Sequence, residues 1–205
     1  MTANDADGPT LLPATAMAGR DDPVDRILAT AYELFSRRGI RDVGINELID
    51  SSGVSKATFY RHFPSKDALV LAFLALRDQV WTVDLIVAEA RRRGHTAEER
   101  LLAIFDVFGD WFQRDDFEAC AFINVLLEMG PEHPLGKASI GYLSRIRGHI
   151  QALAEEAGLD RPGEFARSWH ILMKGSIISA TEGDVLASRR AQQMARWLIE
   201  HHRTL

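Results

Sequence analysis

Apolar residues recur at spacings of three and four positions along most of the chain. This spacing is typical of α-helices that bury one face. In the segment that begins at Asp21, apolar residues hold this period from Val24 to Phe35, and Gly39 follows as a helix stop. No segment sustains the alternation of apolar and polar residues that marks a strand. The pattern therefore predicts an all-α fold of about nine helices.

Capping residues and breakers place the helix boundaries. A short helix is predicted to end at Gly53, and a second runs from Lys56, with Ser55 as its N-cap, to Phe63. Ser65 caps a longer helix that continues to about residue 93. Further helices are predicted at 96–112, 116–129, 135–157, 162–181 and 185–202. The helix at 116–129 is so apolar that we expect burial on all its sides.

Composition sets the class of protein. Of 205 residues, 46% are hydrophobic and 26% are charged, as in globular proteins. The single cysteine excludes an internal disulfide. No apolar run approaches the roughly 18 residues of a membrane span. We therefore expect a soluble, cytoplasmic protein. Residues 1–20 show no periodicity and are predicted to be a disordered tail. The predicted domains are 21–66, a helix-turn-helix domain, and 67–205, a helical domain.

The charge distribution is uneven. The whole chain carries a net charge of −5, whereas residues 36–66 carry six basic and three acidic side chains, a net charge of +3. A positive segment on an acidic protein is typical of a local binding site for a polyanion.

Within that segment, the sequence predicts a helix-turn-helix. Two short helices flank Ser52-Gly53-Val54-Ser55, and Gly53 can adopt the positive φ angle that such a turn needs. The second helix would present polar and basic residues outward, and an α-helix fits the major groove of DNA.

The stretch GVSKATFYRHFPSKDAL at 53–69 resembles the DNA-binding signature of TetR-family bacterial repressors, and LFSRRGI at 34–40 matches the preceding helix. The resemblance covers about residues 22–75. It implies a one-component transcriptional regulator, expected to be a repressor, that binds an inverted-repeat operator in double-stranded DNA as a homodimer. A small-molecule effector would release it, and no cofactor is implied.

The resemblance also assigns roles to individual residues. The predicted DNA-binding residues are Asn46, Ser55, Lys56, Ala57, Thr58, Tyr60, Arg61, His62 and Lys66. By resemblance, Lys56, Ala57, Thr58 and Tyr60 lie nearest the bases, while His62 and Lys66 contact phosphate. One departure from the family is Gly44, which stands where many members have a threonine that caps the helix and contacts phosphate.

The C-terminal domain of this family binds a small molecule and dimerises. Polar residues on an otherwise apolar helix need partners, and an apolar or aromatic effector is one candidate, although a hydrogen bond to a loop end is another. The pocket candidates are Trp111, Asn124, Glu128 and His170. The candidates for the dimer interface lie on the last two helices: Trp169, Met173, Ile177, Ala187, Ala191 and Met194. The alternative role for these residues is packing within the chain.

The sequence also bears on two other classes of function. The first is a small-molecule sensor or carrier whose DNA-binding head is degenerate, for which Gly44 and the acidic net charge leave room. The second is a helical enzyme. Cys120 has no identifiable base beside it, and Glu128, His133 and His170 follow no recognised metal-ligand spacing. We therefore expect no catalytic residue, no metal site and no enzymatic activity.

Overall fold

The computed structural model describes residues 22–203, so the tail predicted at 1–20 lies outside the described residues. Over 22–203 the chain forms ten α-helices, one π-helical segment and no strand. The helices are α1 (Pro23–Arg38), α2 (Ile45–Ser52), α3 (Lys56–His62), α4 (Lys66–Arg77), the π segment (Asp78–Val87), α5 (Ala88–Arg93), α6 (Ala97–Phe112), α7 (Ala121–Met129), α8 (Pro134–Glu156), α9 (Pro162–Thr181) and α10 (Ala187–His202). The prediction of an all-α fold with about nine helices is confirmed, because the three consecutive elements from 66 to 93 were predicted as one helix.

Side-chain caps determine where several helices begin. The Asp22 carboxylate accepts a hydrogen bond from the Val24 backbone N–H at 2.8 Å, and Pro23 occupies the first turn of α1. Thr96 and Glu99 form a reciprocal capping box at the start of α6. The backbone N–H groups of Thr96 and His95 donate to the Glu99 carboxylate and lower its pKa.

The described residues divide into two compact units, and the division falls between Leu76 and Arg77. The first unit contains α1, α2, α3 and most of α4. Its core includes Phe73 of α4, whose ring meets Tyr32 and Phe35 of α1 edge-on at centroid distances of 5.7 and 5.6 Å. The first part of α4 therefore packs as a component of the helix-turn-helix unit.

The second unit is built around α6. Aromatic side chains cluster along this helix, and Trp111 lies 4.9 Å from Phe117 and 5.1 Å from Trp81 between ring centroids. The π segment is tied to α8 by a salt bridge between the buried Asp78 and Arg145. No helix within 22–203 is both long enough and apolar enough to span a membrane.

The structure corrects two helix predictions. The helix predicted to run without a break from 66 to 93 passes through ten π-helical residues, Asp78–Val87. The helix predicted at 116–129 begins only at Ala121, and it is not buried on all sides, because Leu127 is 78% exposed and Asn124 is exposed. A bidentate salt bridge between Arg114 and Asp116 occupies the segment predicted as its first turn.

The structure shows where the six candidates for the dimer interface lie within the subunit. Five of the six candidates are buried within the chain itself: Trp169, Met173, Ile177, Ala187 and Ala191. This burial agrees with the alternative of packing within the chain, because α9 packs against α8 and α10, and α10 also packs against α6. Met194 is the exception, with 48% of its surface exposed.

Candidate nucleic-acid interface

The turn between α2 and α3 is fixed from outside by Arg26 of α1. Gly53 ends α2 with a φ angle of +63°, in the left-handed region that favours glycine. The Arg26 guanidinium donates to the Ser52 carbonyl oxygen from Nη2 at 2.7 Å and from Nε at 3.1 Å, and Nη2 also donates to the Gly53 carbonyl oxygen. These bonds satisfy carbonyl groups that a helix C-terminus leaves without intrahelical partners.

Ser55 is the N-cap of α3, as the sequence predicts. Its Oγ accepts from the Thr58 backbone N–H at 3.1 Å and donates to the Thr58 Oγ1 at 2.9 Å. Phe59, one turn after Ser55, is fully buried and lies 6.3 Å from Phe63 between ring centroids. The cap and this buried anchor fix which face of α3 is directed outward.

Most of the predicted DNA-binding residues lie together along that outward face. On α3 and its N-cap, the exposed residues are Ser55, Lys56, Ala57, Tyr60, Arg61 and His62. Thr58 is half-buried, as is Lys66 in the first turn of α4, and Asn46 is exposed on α2. Tyr60 is 39% exposed and its ring meets that of Phe59 edge-on, so the ring is supported while its outer part stays accessible.

The electrostatics favour α3 over the basic end of α1 as a site for an anion. Arg37 forms a salt bridge with Glu33 at 3.2 Å, and Arg38 pairs with Glu47. By contrast, Lys56 and Arg61 form no ion pair with any residue in the described range. Two cations at the exposed face of α3 are therefore available to a polyanion.

Gly44 acts as the N-cap of α2, and no side chain caps this helix. The departure from the family signature therefore has a structural consequence. The hydroxyl group that many family members place here, as a cap and a phosphate contact, has no counterpart at this position.

The four pocket candidates lie in different environments. Trp111 is buried in the aromatic cluster, Asn124 is exposed and Glu128 is half-buried. His170 is buried, its Nδ1 has no hydrogen-bond partner, and burial together with the charges of Lys174 and Arg147 lowers its pKa to about 3. A cavity does exist in the same unit, but none of these four residues lines it.

Two features were not found from the sequence. Arg26 gave no local signal, because it contacts carbonyl groups 26 and 27 positions away. The cavity is lined by residues from several helices, including Thr82, Arg91 and His149. The basic run Arg91-Arg92-Arg93 was a visible signal, although nothing in the sequence showed which of its members would face a cavity.

The residues considered for catalysis are not arranged for it. Cys120 is buried, and burial raises the pKa of its thiol, which disfavours the thiolate that a nucleophile requires. No group of three or more His, Cys, Asp or Glu side chains between residues 22 and 203 is placed to hold a metal ion.

The fold and this surface define a class of protein, the helix-turn-helix regulators. Comparison with known proteins specifies the class further. Residues 27–73 match the family model for bacterial regulatory proteins of the tetR family. The chain is 35% identical over 99 residues to the HTH-type transcriptional activator FasR of Mycolicibacterium smegmatis. The aligned region covers 47% of this chain and 43% of FasR.

A second relative is the HTH-type transcriptional regulator EthR of Mycobacterium tuberculosis, which is 42% identical over 60 residues, or 29% of this chain and 28% of EthR. These matches span less than half the length of either curated relative. The crystal structure of SCO4454, a TetR-family transcriptional regulator from Streptomyces coelicolor, is similar over 93% of this chain and 96% of that chain, with a TM-score of 0.78 and 26% identity.

Residues 27–73 therefore match the TetR family of bacterial regulatory proteins, and the chain shares the fold of TetR-family transcriptional regulators. The relatives named above are transcriptional regulators and not enzymes, in agreement with the expectation from the sequence.

Proposed function

We propose that this protein is a one-component transcriptional repressor that binds an inverted-repeat operator as a homodimer and is released by a small-molecule effector. The observation that carries the proposal is the outward face of α3, where Lys56, Tyr60, Arg61 and His62 are exposed on a short helix with a buried anchor. An exposed, basic second helix of a helix-turn-helix is the element that enters the major groove in this class.

In this proposal, residues in the N-terminal part of α3 contact the DNA bases. The Lys56 ammonium can donate to the O6 and N7 atoms of guanine, and the methyl groups of Ala57 and Thr58 can contact that of thymine. The Thr58 Oγ1 already accepts a hydrogen bond from Ser55, so its methyl group is the part left for apolar contact. Tyr60, one turn beyond Lys56, would contact the adjacent base or phosphate.

Phosphate contacts would come from residues at the edges of this face. His62 and Arg61 lie at the end of α3, Lys66 begins α4, and Asn46 lies on α2. Such contacts set affinity and register without reading sequence. Since Gly44 supplies no hydroxyl group at the start of α2, the remaining phosphate contacts carry a larger share of the binding.

A homodimer would use the exposed side of α9 and α10. Ile171 and Ile178 lie seven positions apart on α9, and Met194 and Trp197 lie three apart on α10, so each pair shares a helix face. All four are large apolar side chains that the chain leaves exposed. A twofold pairing of these surfaces would bury them and would present two copies of α3 to a symmetric operator.

Release by an effector requires only that the small molecule and the operator prefer different conformations. Their affinities then oppose each other reciprocally. The cavity in the unit Arg77–Leu205 offers a place for such a molecule.

A second candidate function is transcriptional activation, because the relative FasR is named as an activator. A reporter gene behind the operator separates the two roles. Deletion of the regulator raises expression if it represses and lowers expression if it activates.

The direct test is binding of the purified protein to the DNA upstream of its own gene, measured by fluorescence anisotropy against a shuffled duplex of equal length. We expect binding to the upstream DNA to be tighter by about 10³-fold or more at physiological salt. Equal affinity for both duplexes would contradict sequence-specific regulation and favour the sensor or carrier with a degenerate head.

A further inference from the structure

A cavity of about 110 Å³ lies within the unit Arg77–Leu205, between the π segment, α5, α6, α8 and α9. Its deepest lining residues are almost fully buried and apolar: Ile86, Ile104, Ile146, Ile150 and Met173. Its exposed lining residues are Arg91, Ala152 and Glu156. The cavity thus has an apolar interior and a polar opening.

One polar group in the buried part of the lining has no partner. Thr82 is 1% exposed, and its Oγ1 makes no hydrogen bond within the structure. A threonine in a regular α-helix commonly bonds the carbonyl group one turn earlier, but Thr82 lies in the π segment. A buried hydroxyl without a partner costs free energy, which a ligand oxygen at this position would recover.

The opening contains an unpaired cation. Arg91 makes no ion pair or hydrogen bond with any residue in 22–203, whereas its neighbours Arg92 and Arg93 both bond Glu89. Since Arg91 is the one arginine of this run that lines the cavity, its guanidinium is left for a ligand. A guanidinium binds carboxylates through two parallel hydrogen bonds.

The other charges at the opening neutralise each other. Arg100 donates to the Glu156 carboxylate at 2.9 Å and to the carbonyl oxygens of Gly94 and His95. His149, which is half-buried in the lining and has no partner in the described part of the chain, offers a further donor. With Glu156 paired, the opening favours an anion over a cation.

The size of the cavity limits the ligand. A volume of about 110 Å³ restricts the site to a small molecule. Thr82 and Arg91 are nine positions apart, which is at most about 13.5 Å at the α-helical rise of 1.5 Å per residue and less here, because residues 82–87 are π-helical. Because helical side chains lean toward the N-terminus, the Arg91 side chain reaches back toward Thr82 and shortens this span.

We infer that the cavity binds a short-chain carboxylate with a second oxygen at its far end, such as an ω-hydroxy acid of about six carbons. The carboxylate binds Arg91 and His149 at the opening, the methylene groups pack on the isoleucine side chains, and the terminal hydroxyl bonds the Thr82 Oγ1. This inference rests on the proposed function, since the ligand would be the effector of that regulator.

Calorimetric titration of the full chain with three matched probes tests the inference. The probes are 6-hydroxyhexanoate, hexanoate, which lacks the hydroxyl group, and 6-aminohexan-1-ol, which replaces the anion with a cation. We expect the hydroxy acid to bind about tenfold or more tightly than hexanoate and the amino alcohol not to bind. Equal binding of all three probes, or binding of none, would overturn the inference.

Two variants assign the contacts, and a third is their control. Arg91→Gln should remove the preference for the acid over the amino alcohol, whereas Arg92→Gln, which alters the neighbouring paired arginine, should keep it. Thr82→Val should make the hydroxy acid and hexanoate bind equally, and it should leave the unliganded Tm unchanged or raised because it removes an unpaired hydroxyl group.

A Thr82→Val variant that still preferred the hydroxy acid would refute the assigned orientation. Measuring DNA binding by the same wild-type sample distinguishes a failure of the proposed ligand from a failure of the proposed function. A protein that binds its upstream DNA selectively but none of the probes contradicts the ligand, whereas one that binds the hydroxy acid but not DNA contradicts the proposed regulator.

Discussion

At the scale of single residues, Lys56 and Lys66 carry the same charge but different roles in the proposed complex. Lys56 lies at the start of α3, and Lys66 begins α4. We expect Lys56→Ala to weaken operator binding by about 1–3 kcal/mol and to relax selectivity for one base pair. Lys66→Ala should weaken binding to operator and random DNA alike and should reduce the slope of affinity against salt.

Anisotropy titrations at several salt concentrations, on operator and shuffled DNA, separate these effects. Lys137→Ala is a matched control, because Lys137 is an exposed lysine on α8 of the other unit. If Lys66→Ala left the salt slope unchanged, the assignment of Lys66 to phosphate would be wrong.

His170 gives the protein a specific dependence of stability on pH. Its pKa is lowered to about 3, chiefly by burial, whereas an unfolded histidine titrates near 6.5. Below pH 6.5 the unfolded chain therefore binds a proton that the folded chain does not. The stability associated with neutral His170 is complete above pH 6.5 and is lost progressively as the pH falls toward 3.

Urea unfolding of the wild type and His170→Leu at pH 7.0, 5.5 and 4.5 measures this effect. We expect the wild type to lose stability faster than the variant, by up to about 1.4 kcal/mol per pH unit. Parallel pH profiles for the two proteins would show that folding does not lower the pKa of His170.

At the scale of elements, Arg26 joins α1 to the turn that orients α3. We expect Arg26→Met to destabilise the protein by about 1–2 kcal/mol, because the partly buried carbonyl group of Ser52 and the exposed one of Gly53 lose a charged donor. Arg26→Lys should recover part of this loss. Thermal unfolding followed by circular dichroism provides the measurement. If the Tm of Arg26→Met equalled that of the wild type, Arg26 would not stabilise the turn between α2 and α3.

The elements also show how far the sequence determines the structure. Boundaries marked by local chemistry were predicted correctly, such as the cap at Ser55 and the left-handed turn at Gly53. The π segment was not, because apolar spacing of three and four residues does not distinguish an α turn from a π turn. The buried Asp78 in this segment pairs with Arg145, 67 positions away, which no local pattern reveals.

The same distinction between local and distant contacts applies to the candidate site. Residues on α3 were predictable because a contiguous motif fixes which side of a short helix faces outward. The cavity and the exposed face of α9 and α10 depend on contacts among distant helices. A small or apolar residue at helical spacing, such as Ala191, shows that a face is packed but not whether its partner lies in the same chain.

At the scale of the whole molecule, the proposed dimer depends on the exposed apolar residues of α9 and α10. Trp197 is 58% exposed. We expect Trp197→Glu to convert dimers to monomers at micromolar concentration, since it places a charge in an apolar contact. Sedimentation velocity measures the oligomeric state.

Leu127→Glu is the control, because Leu127 is also a large exposed apolar side chain but lies on α7. This variant should remain dimeric. A monomeric wild type, or dimers that persist in Trp197→Glu, would refute the proposed interface.

The central claim is that α3 reads DNA sequence. The most direct measurement is selection of bound duplexes from a random DNA pool by the purified wild-type protein, followed by sequencing. We expect enrichment of an inverted repeat whose half-sites are centred about 34–36 Å apart or at a wider spacing set by the dimer. A folded protein that enriches no sequence over the starting pool at low salt would contradict the claim.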